Sequence, residues 1–303
     1  MSQEIHVVSA VIVCFHPNPE TLHRLILALA PDVHQILLVN NGQVDELPSD
    51  LGAQVQCIEL GCNLGVAEAL NRGFAKAYAE GADAVIGFDQ DSEPPVGLVS
   101  QMRDHWNGEV HRQSHLKFGA IGPATCDRDG AHLLTSFAPY NWMRQRIRPT
   151  SGKRWHVDHL ITSGCLIPRE AWEKTGPMNA DLFIDWVDVE WCGRARAAGY
   201  TLLMDGDAVL IHRIGHRSQA FLGRHFHVHS PFRHYFVLRN ALLLWSDKRF
   251  PTGWRAHHLL YALRVILANL IFAPGRLQRL IWVARGWRDG WAKRTGAQGH
   301  IPD

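Results

Sequence analysis

Along the first ninety positions, apolar residues come in short blocks separated by amphipathic stretches. Residues 6–15 (HVVSAVIVCF) are a β-branched run, the pattern of a strand buried on both faces. Pro17 and Pro19 break it. Leu22, Leu25, Ile26 and Leu29 then recur at helical spacing within residues 20–30. Residues 35–39 (QILLV) read as a second buried strand, closed by the turn signal Asn40-Asn41-Gly42. A third short strand is predicted over 55–60, a loop over 61–65 and a helix over 66–80 that Gly81 stops. Residues 83–88 make the next strand. Further on, the pattern predicts a helix over 94–106, a strand over 117–123 and a polar, Arg-rich excursion over 126–156. A strand over 159–168 with a small-residue kink at Ser163-Gly164 leads into a short helix over 169–175. After LFIDWVDVEW (182–191), a helix is predicted over 192–198, with Glu190 and Arg194 spaced to pair on its outer face. Strands at 201–204 and 208–211 lead into a basic, His-rich loop.

This alternation predicts an α/β fold: a Rossmann-like, mostly parallel sheet flanked by helices. Ligands of such sheets bind beyond the carboxyl ends of the strands. Phe15-His16-Pro17, Asn40-Asn41, Gly61-Cys62-Asn63 and Asp89/Asp91 all fall there. No G-x-G-x-x-G follows the first strand, which argues against a dinucleotide-binding dehydrogenase.

The sharpest chemical signal is Phe88-Asp89-Gln90-Asp91-Ser92. If the strand runs through it, period-2 alternation points both carboxylates the same way. Paired carboxylates repel and call for a cation. Hard oxygen ligands, few in number, suit Mg²⁺ or Mn²⁺ with a substrate phosphate completing the shell. The bland alternative is an acidic surface turn.

Composition adds bounds. At 46% hydrophobic and 20% charged, the 303 residues are those of an ordinary globular protein. Charge is uneven: residues 232–303 carry 12 Lys/Arg against 3 Asp/Glu, net +9, and the rest is net −7. Six cysteines with no C-x-x-C pair suggest a reduced, cytoplasmic protein. The amino terminus has no basic leader pattern, so no signal peptide is expected. No apolar run reaches the roughly 20 residues of a membrane span. In residues 246–303, Trp254, Tyr261, Trp282, Trp287 and Trp291 alternate with Arg and Lys. Amphipathic basic helices of this kind suit peripheral association with an anionic membrane face. A helical packing or dimer element is the alternative, and an oligomer is compatible with it. Nucleic acid is set aside because no recognition motif accompanies the charge.

Taken in order, VVSAVIVCFHP, LLVNNG, GCNLGVAEALNRG, FDQDS, ITSGCLI, LFIDWVDVEWCGRARAAGY, HRIGH and HYFVLRNALLL resemble the inverting family 2 glycosyltransferases of the GT-A fold. Within them the chain is most similar to bacterial rhamnosyltransferases. The resemblance implies a GT-A domain over 1–245, with a nucleotide-binding half to about 125, an acceptor half from 126, and a helical C-terminal extension over 246–303. It implies that Asp89 and Asp91 hold the metal with His212, and that Asp188 is the general base. Val187 stands before that base where the wider family has an acidic residue. Phe15, Asn40 and Asn63 match positions around the nucleoside, and Gly65 and Gln90 join the donor set. Asn40 replaces the usual aspartate, but an amide oxygen still accepts a hydrogen bond from a pyrimidine N3–H. Arg213 and His216 would close over the phosphates. Ser163, Gly164, Asp185 and Trp186 fall on the acceptor side, with a strand kink as the other reading of Ser163-Gly164.

The implied reaction moves L-rhamnose from dTDP-rhamnose to a glycan or lipid-linked saccharide at the inner face of the cytoplasmic membrane. Another donor, such as UDP-galactofuranose, and a sugar-nucleotide nucleotidyltransferase are the competing readings. The latter needs a Gly-rich, basic loop after the first strand, and FHPNPE lacks it.

Overall fold

A computed structural model describes residues 3–42, 52–126, 133, 136–139, 145–211, 218–221, 224–227 and 229–297; over 218–221 and 224–227 it describes the backbone alone. The elements run β1 (Val8–Cys14), α1 (Pro19–Leu29), β2 (Gln35–Asn40), β3 (Val55–Glu59), α2 (Val66–Ala79), β4 (Ala84–Asp89), α3 (Leu98–Arg112) and β5 (Phe118–Cys126). Then come the short strands β6 (Ser136–Phe137), β7 (Arg146–Ile147) and β8 (Arg154–His156), followed by β9 (Cys165–Pro168) and α4 (Arg169–Thr175). A 3₁₀ turn (Ala180–Leu182) precedes α5 (Val187–Ala197) and β10 (Thr201–Ile211). The chain closes with β11 (Ser218–Phe221), β12 (Arg224–His227), α6 (Arg233–Ser246), α7 (Thr252–Phe272) and α8 (Arg276–Trp291).

One eight-stranded sheet has the order β3-β2-β1-β4-β9-β5-β10-β8. The pairs among β3, β2, β1 and β4 are parallel, as is β5 with β10. β9 runs antiparallel between β4 and β5. The sheet is therefore mostly parallel, as the alternation predicts. The proposed nucleotide and acceptor halves interleave in it, since β9 enters beside β4.

The buried strands obey period two. On β4, Ala84, Ile86 and Phe88 join the core that contains the α1 and α3 residues Leu22, Leu25, Met102 and Trp106. Val85 joins the opposite core, with Leu70 and Phe74 of α2 and Val189 of α5. By the same parity Asp89 belongs to the α2/α5 side of the sheet.

Several local expectations shift: the helix expected over 94–106 is α3, Leu98–Arg112, and the one expected over 192–198 is α5, which starts at Val187. The strand over 159–168 is only Cys165–Pro168, because residues 159–164 bend back to enter the sheet antiparallel. The two strands predicted at 201–204 and 208–211 are one strand, β10, with a register shift between Asp205 and Val209. Glu190 does pair with Arg194, at 2.8 Å, but is 1% exposed and faces inward. Arg194 also donates to the carbonyls of Thr175 and Pro177, tying α5 to the end of α4.

Candidate active site

The rim begins with Phe15, just past β1. The Gln90 side chain bonds its backbone in both directions: Oε1 accepts from Phe15 N at 2.6 Å and Nε2 donates to Phe15 O at 3.0 Å. Gln90 thus fixes the loop that carries Phe15. Asn40 is 1% exposed; its amide donates to Glu59 at 2.7 Å and its oxygen accepts from Gly42 N at 3.2 Å. Asn63 accepts from Asn41 at 3.2 Å and from Gly65 N at 3.0 Å, latching the loop after β3 to the loop after β2. Gly65 has φ 88°, and a Cβ there would lie 2.6 Å from the carbonyl oxygen of Phe183. Only glycine allows the start of α2 to dock there, where Val66 N donates to Phe183 O at 2.9 Å.

β4 ends at Asp89, which is half-buried. Asp91 is exposed and lies in a turn in which Ser92 N donates to Asp89 O at 3.0 Å. Alternation along a strand therefore does not relate the two carboxylates; a tight turn does. Ser163 and Gly164 pack behind the carboxylate turn. Ser163 is 1% exposed, with its hydroxyl 2.5 Å from that of Ser92 and 3.4 Å from Asp89 N. It anchors the carboxylate turn from behind. Gly164 has φ 81°, donates to Gly87 O at 2.8 Å and leaves no room for a Cβ against Pro123.

The segment before α5 is strained. Phe183, Asp185 and Trp186 all have positive φ, at 64°, 62° and 68°. Such conformations cost of order 1–3 kcal/mol each and persist only where surroundings enforce them. α6 enforces them here. Asn240 donates to the carbonyls of Leu182, Ile184 and Asp185 at 2.8–3.0 Å. Arg239, fully buried, donates to Asp181 O at 3.2 Å and to Leu182 O at 2.8 Å. Arg233, the first residue of α6, pairs with Asp185, its Nε lying 3.3 Å from Oδ2. The Asp185 charge, opposed by burial and reinforced by Asp89, raises the Arg233 pKa. Arg233 thus braces the α5 entrance within electrostatic reach of the rim carboxylate.

Asp188 lies in the first turn of α5, where the helix dipole favours a carboxylate. It accepts the Val189 amide at 2.8 Å. Burial pushes its pKa up, while a charge on His159 pulls it down. Its neighbours Asp185, Trp186 and Val189 line a cavity of about 380 Å³ together with His159, His257, His258 and Tyr261, whereas Asp188 itself lies against Thr162, Cys165 and Cys192. Trp186 is nearly buried, donates to Val237 O at 3.0 Å and meets His258 and Tyr261 edge-on at 5.3 and 5.9 Å. Burial raises the Tyr261 pKa, and the charges of Asp185 and Asp188 add to the rise.

His212, Arg213 and His216 lie outside the described residues. Among the described residues, one three-ligand cluster has the spacing of a metal site: His105, Asp205 and Asp207. It is not the set expected at the rim. Arg154 lies 3.6 Å from Asp205 and 3.3 Å from Asp207, supplying positive charge there, and Asp207 also accepts from Ser151 and Gly152. These contacts fasten the excursion before β9 to β10. At the rim, Asp89 and Asp91 are hard oxygen donors reachable from solvent, a donor set that fits Mg²⁺ or Mn²⁺.

Sequence reasoning missed Arg233, Arg239, Asn240 and the α7 wall of the cavity. Arg239 and Asn240 stand in HYFVLRNALLL, a stretch visible as a resemblance whose role only the fold discloses, and Arg233 immediately precedes it.

The chain belongs to glycosyl transferase family 2, whose pattern matches residues 9–176. It is 31% identical over 266 residues to the dTDP-rhamnosyl transferase RfbF of Shigella flexneri, covering 86% of this chain and 85% of that protein. Among solved structures it is similar to GalNAc-T7 with UDP, GalNAc and Mn²⁺, at TM-score 0.57 and 15% identity, over 90% of this chain and 59% of that one. It is also similar to residues 1–349 of S. aureus TarS, at TM-score 0.56 and 11% identity, over 94% and 81% of the two chains. At these identities the structural likeness is one of fold, and it agrees with a GT-A architecture.

Proposed function

We propose that this chain transfers L-rhamnose from dTDP-rhamnose, with inversion, to a hydroxyl of a lipid-linked saccharide at the inner face of the cytoplasmic membrane. The dTDP-rhamnosyl transferase relative supports the choice of donor. The observation that carries the reading is the clamp on the segment before Asp188: Arg233 pairs with Asp185, and Asn240 donates to the carbonyls of Leu182, Ile184 and Asp185, on the side of the sheet to which Asp89 belongs. Donor phosphates and acceptor hydroxyl then meet between these elements.

In this reading Asp188 takes the proton from the acceptor hydroxyl as its oxygen attacks the anomeric carbon. General-base help of this kind contributes ~10²–10⁴-fold. A single carboxylate opposite the leaving group gives one displacement and so inversion. Asp89, Asp91 and His212 would hold Mg²⁺ or Mn²⁺, which when bound offsets negative charge on the departing diphosphate. Arg233, paired with Asp185, adds a positive charge on that side of the site. Phe15, Asn40, Asn63, Gly65 and Gln90 shape the nucleoside side, and Arg213 and His216 would supply positive charge to the phosphates. The 380 Å³ cavity takes the acceptor against Trp186 and Tyr261.

The test is a thermal-shift panel of nucleotide sugars with Mg²⁺ or Mn²⁺, followed by anomeric analysis of the product by NMR. Stabilisation by dTDP-rhamnose above all other donors, with an inverted linkage, is expected. Preference for UDP-galactofuranose, or retention, would overturn the reading.

A further inference from the structure

α7 and α8 are each packed on one side and bare on the other. On α7, Trp254, His258, Ala262, Ile266 and Asn269 are buried, and they share one helical face. The opposite face carries Leu260, Leu263, Arg264, Leu267 and Ile271, all exposed. On α8, Arg279, Gly286, Asp289 and Gly290 are buried. Gly286 and Gly290 touch α6 so closely that a Cβ would fall 2.6 Å from Tyr235 O and 2.8 Å from Leu242. The opposite face of α8 carries Leu277, Leu280, Ile281, Trp287, Arg288 and Trp291, again exposed. Of the 13 large hydrophobic side chains exposed among the described residues, ten lie on these two helices. A concentration of that kind marks an interaction surface.

Charge selects the occupant. Arg264, Arg276, Arg285, Arg288, Lys293 and Arg294 are exposed on or just after these helices. Between residues 248 and 297 the only acidic residue is Asp289, which is buried and paired with Arg288 and Arg294. A second copy meeting this face through a two-fold axis would set arginine against arginine. An anionic bilayer satisfies both demands: leucines and tryptophans enter the acyl boundary while arginines reach headgroup phosphates. No helix among the described residues is long and apolar enough to cross a membrane, so docking would be in the plane of the surface.

We propose that the outward faces of α7 and α8 dock this protein on an anionic lipid bilayer. Tyr261 lines the cavity beside Asp185 and is also 53% exposed on α7, next to Leu260. The docked face therefore adjoins the cavity, so a saccharide on a lipid carrier is delivered where the acceptor is needed. That last link rests on the transferase reading; the docking itself does not.

The test is flotation of the full chain with phosphatidylcholine vesicles, with and without phosphatidylglycerol. Binding to the anionic vesicles, weakened by salt and accompanied by a blue shift of tryptophan emission, is expected. The double variant Leu267→Glu/Leu280→Glu should lower partitioning ~10-fold or more. Arg264→Ala/Arg285→Ala should remove most of the salt-dependent part. Both pairs are exposed, so melting curves and nucleotide binding should match the unmodified chain. The proposal falls if the unmodified chain ignores anionic vesicles, or if Leu267→Glu/Leu280→Glu binds them equally well. It also falls if that variant's main effect is to dissolve a dimer in lipid-free solution. Vesicle binding by a chain that transfers no sugar would leave docking intact and remove the transferase reading.

Discussion

Asp188 combines two properties that a general base needs: a place in the first turn of α5, between residues that line the cavity, and a pKa raised by burial. The raised pKa has a definite sign in two measurements. Transfer requires the ionised form, so the rate should climb with pH through the raised pKa and then level off. For stability, the native state holds this proton more tightly than the unfolded chain does. The contribution is therefore full below the unfolded pKa and is lost as pH rises through the folded one. Asp188→Asn should cut transfer ~10²–10⁴-fold while leaving nucleotide binding intact. At neutral pH the variant should melt at a higher temperature than the unmodified chain, with the gap closing in acid. Single-turnover kinetics and calorimetry across pH check both; a variant with near-normal turnover would remove Asp188 from the base role. At this scale the residue types were readable and their geometry was not. Asp89-Gln90-Asp91 stood out in the sequence, but alternation carries no information about where a strand stops. The strand stops at Asp89, Asp91 sits in a turn, and Gln90 holds Phe15 in place.

Among elements, α6 organises the segment before α5, which Arg233 pairs with at Asp185. It holds a strained 183–186 segment by side-chain bonds to backbone carbonyls. Asn240→Ala removes the side-chain donor to the Ile184 and Asp185 carbonyls, while Arg239 still holds that of Leu182, a loss of about 1–3 kcal/mol. Asn240→Asp should be worse, because it turns a carboxylate toward the carbonyls of Leu182, Ile184 and Asp185. Urea unfolding should rank the unmodified chain, Asn240→Ala and Asn240→Asp in falling stability, and kcat should fall with the loss of the cradle. Equal stability of the three would show that the segment holds itself. Periodicity disclosed most strands and helices because burial on one or both faces writes itself locally. It placed the helix after LFIDWVDVEW at 192, whereas α5 starts at Val187. Val187, Val189 and Trp186 look strand-like alone, and tertiary contacts more than fifty residues away override that preference. The antiparallel insertion of β9 was equally hidden, since pairing direction is set by long-range topology.

For the whole molecule, the basic C-terminal stretch is legible as a charge excess but not as part of the active site. Of its aromatic residues, Trp254 is 2% exposed and packs on Phe250 at 4.5 Å, while Trp287 and Trp291 face outward. Of its arginines, Arg279 is buried and donates to Pro274 O and His229 O, while Arg264 and Arg276 are exposed. Composition cannot separate these two populations; only the helix phase against α6 does. Removing residues 246–303 would therefore strip a wall from the cavity and expose core, confounding any assay of a freestanding tail. Point changes in the wall are cleaner. His258 is buried beside Trp186 and Trp254, at 5.3 and 4.1 Å, whereas Tyr261 is half exposed. If the cavity takes the acceptor, Tyr261→Ala should raise the acceptor KM ~10-fold, the scale of one lost stacking or hydrogen-bond contact. The donor KM and the melting temperature should change little, because the Tyr261 ring contributes little to the core. His258→Ala should lower both stability and acceptor affinity, since its ring is part of the packing. A Tyr261→Ala enzyme whose donor KM rises instead would place the nucleotide, not the acceptor, in this cavity.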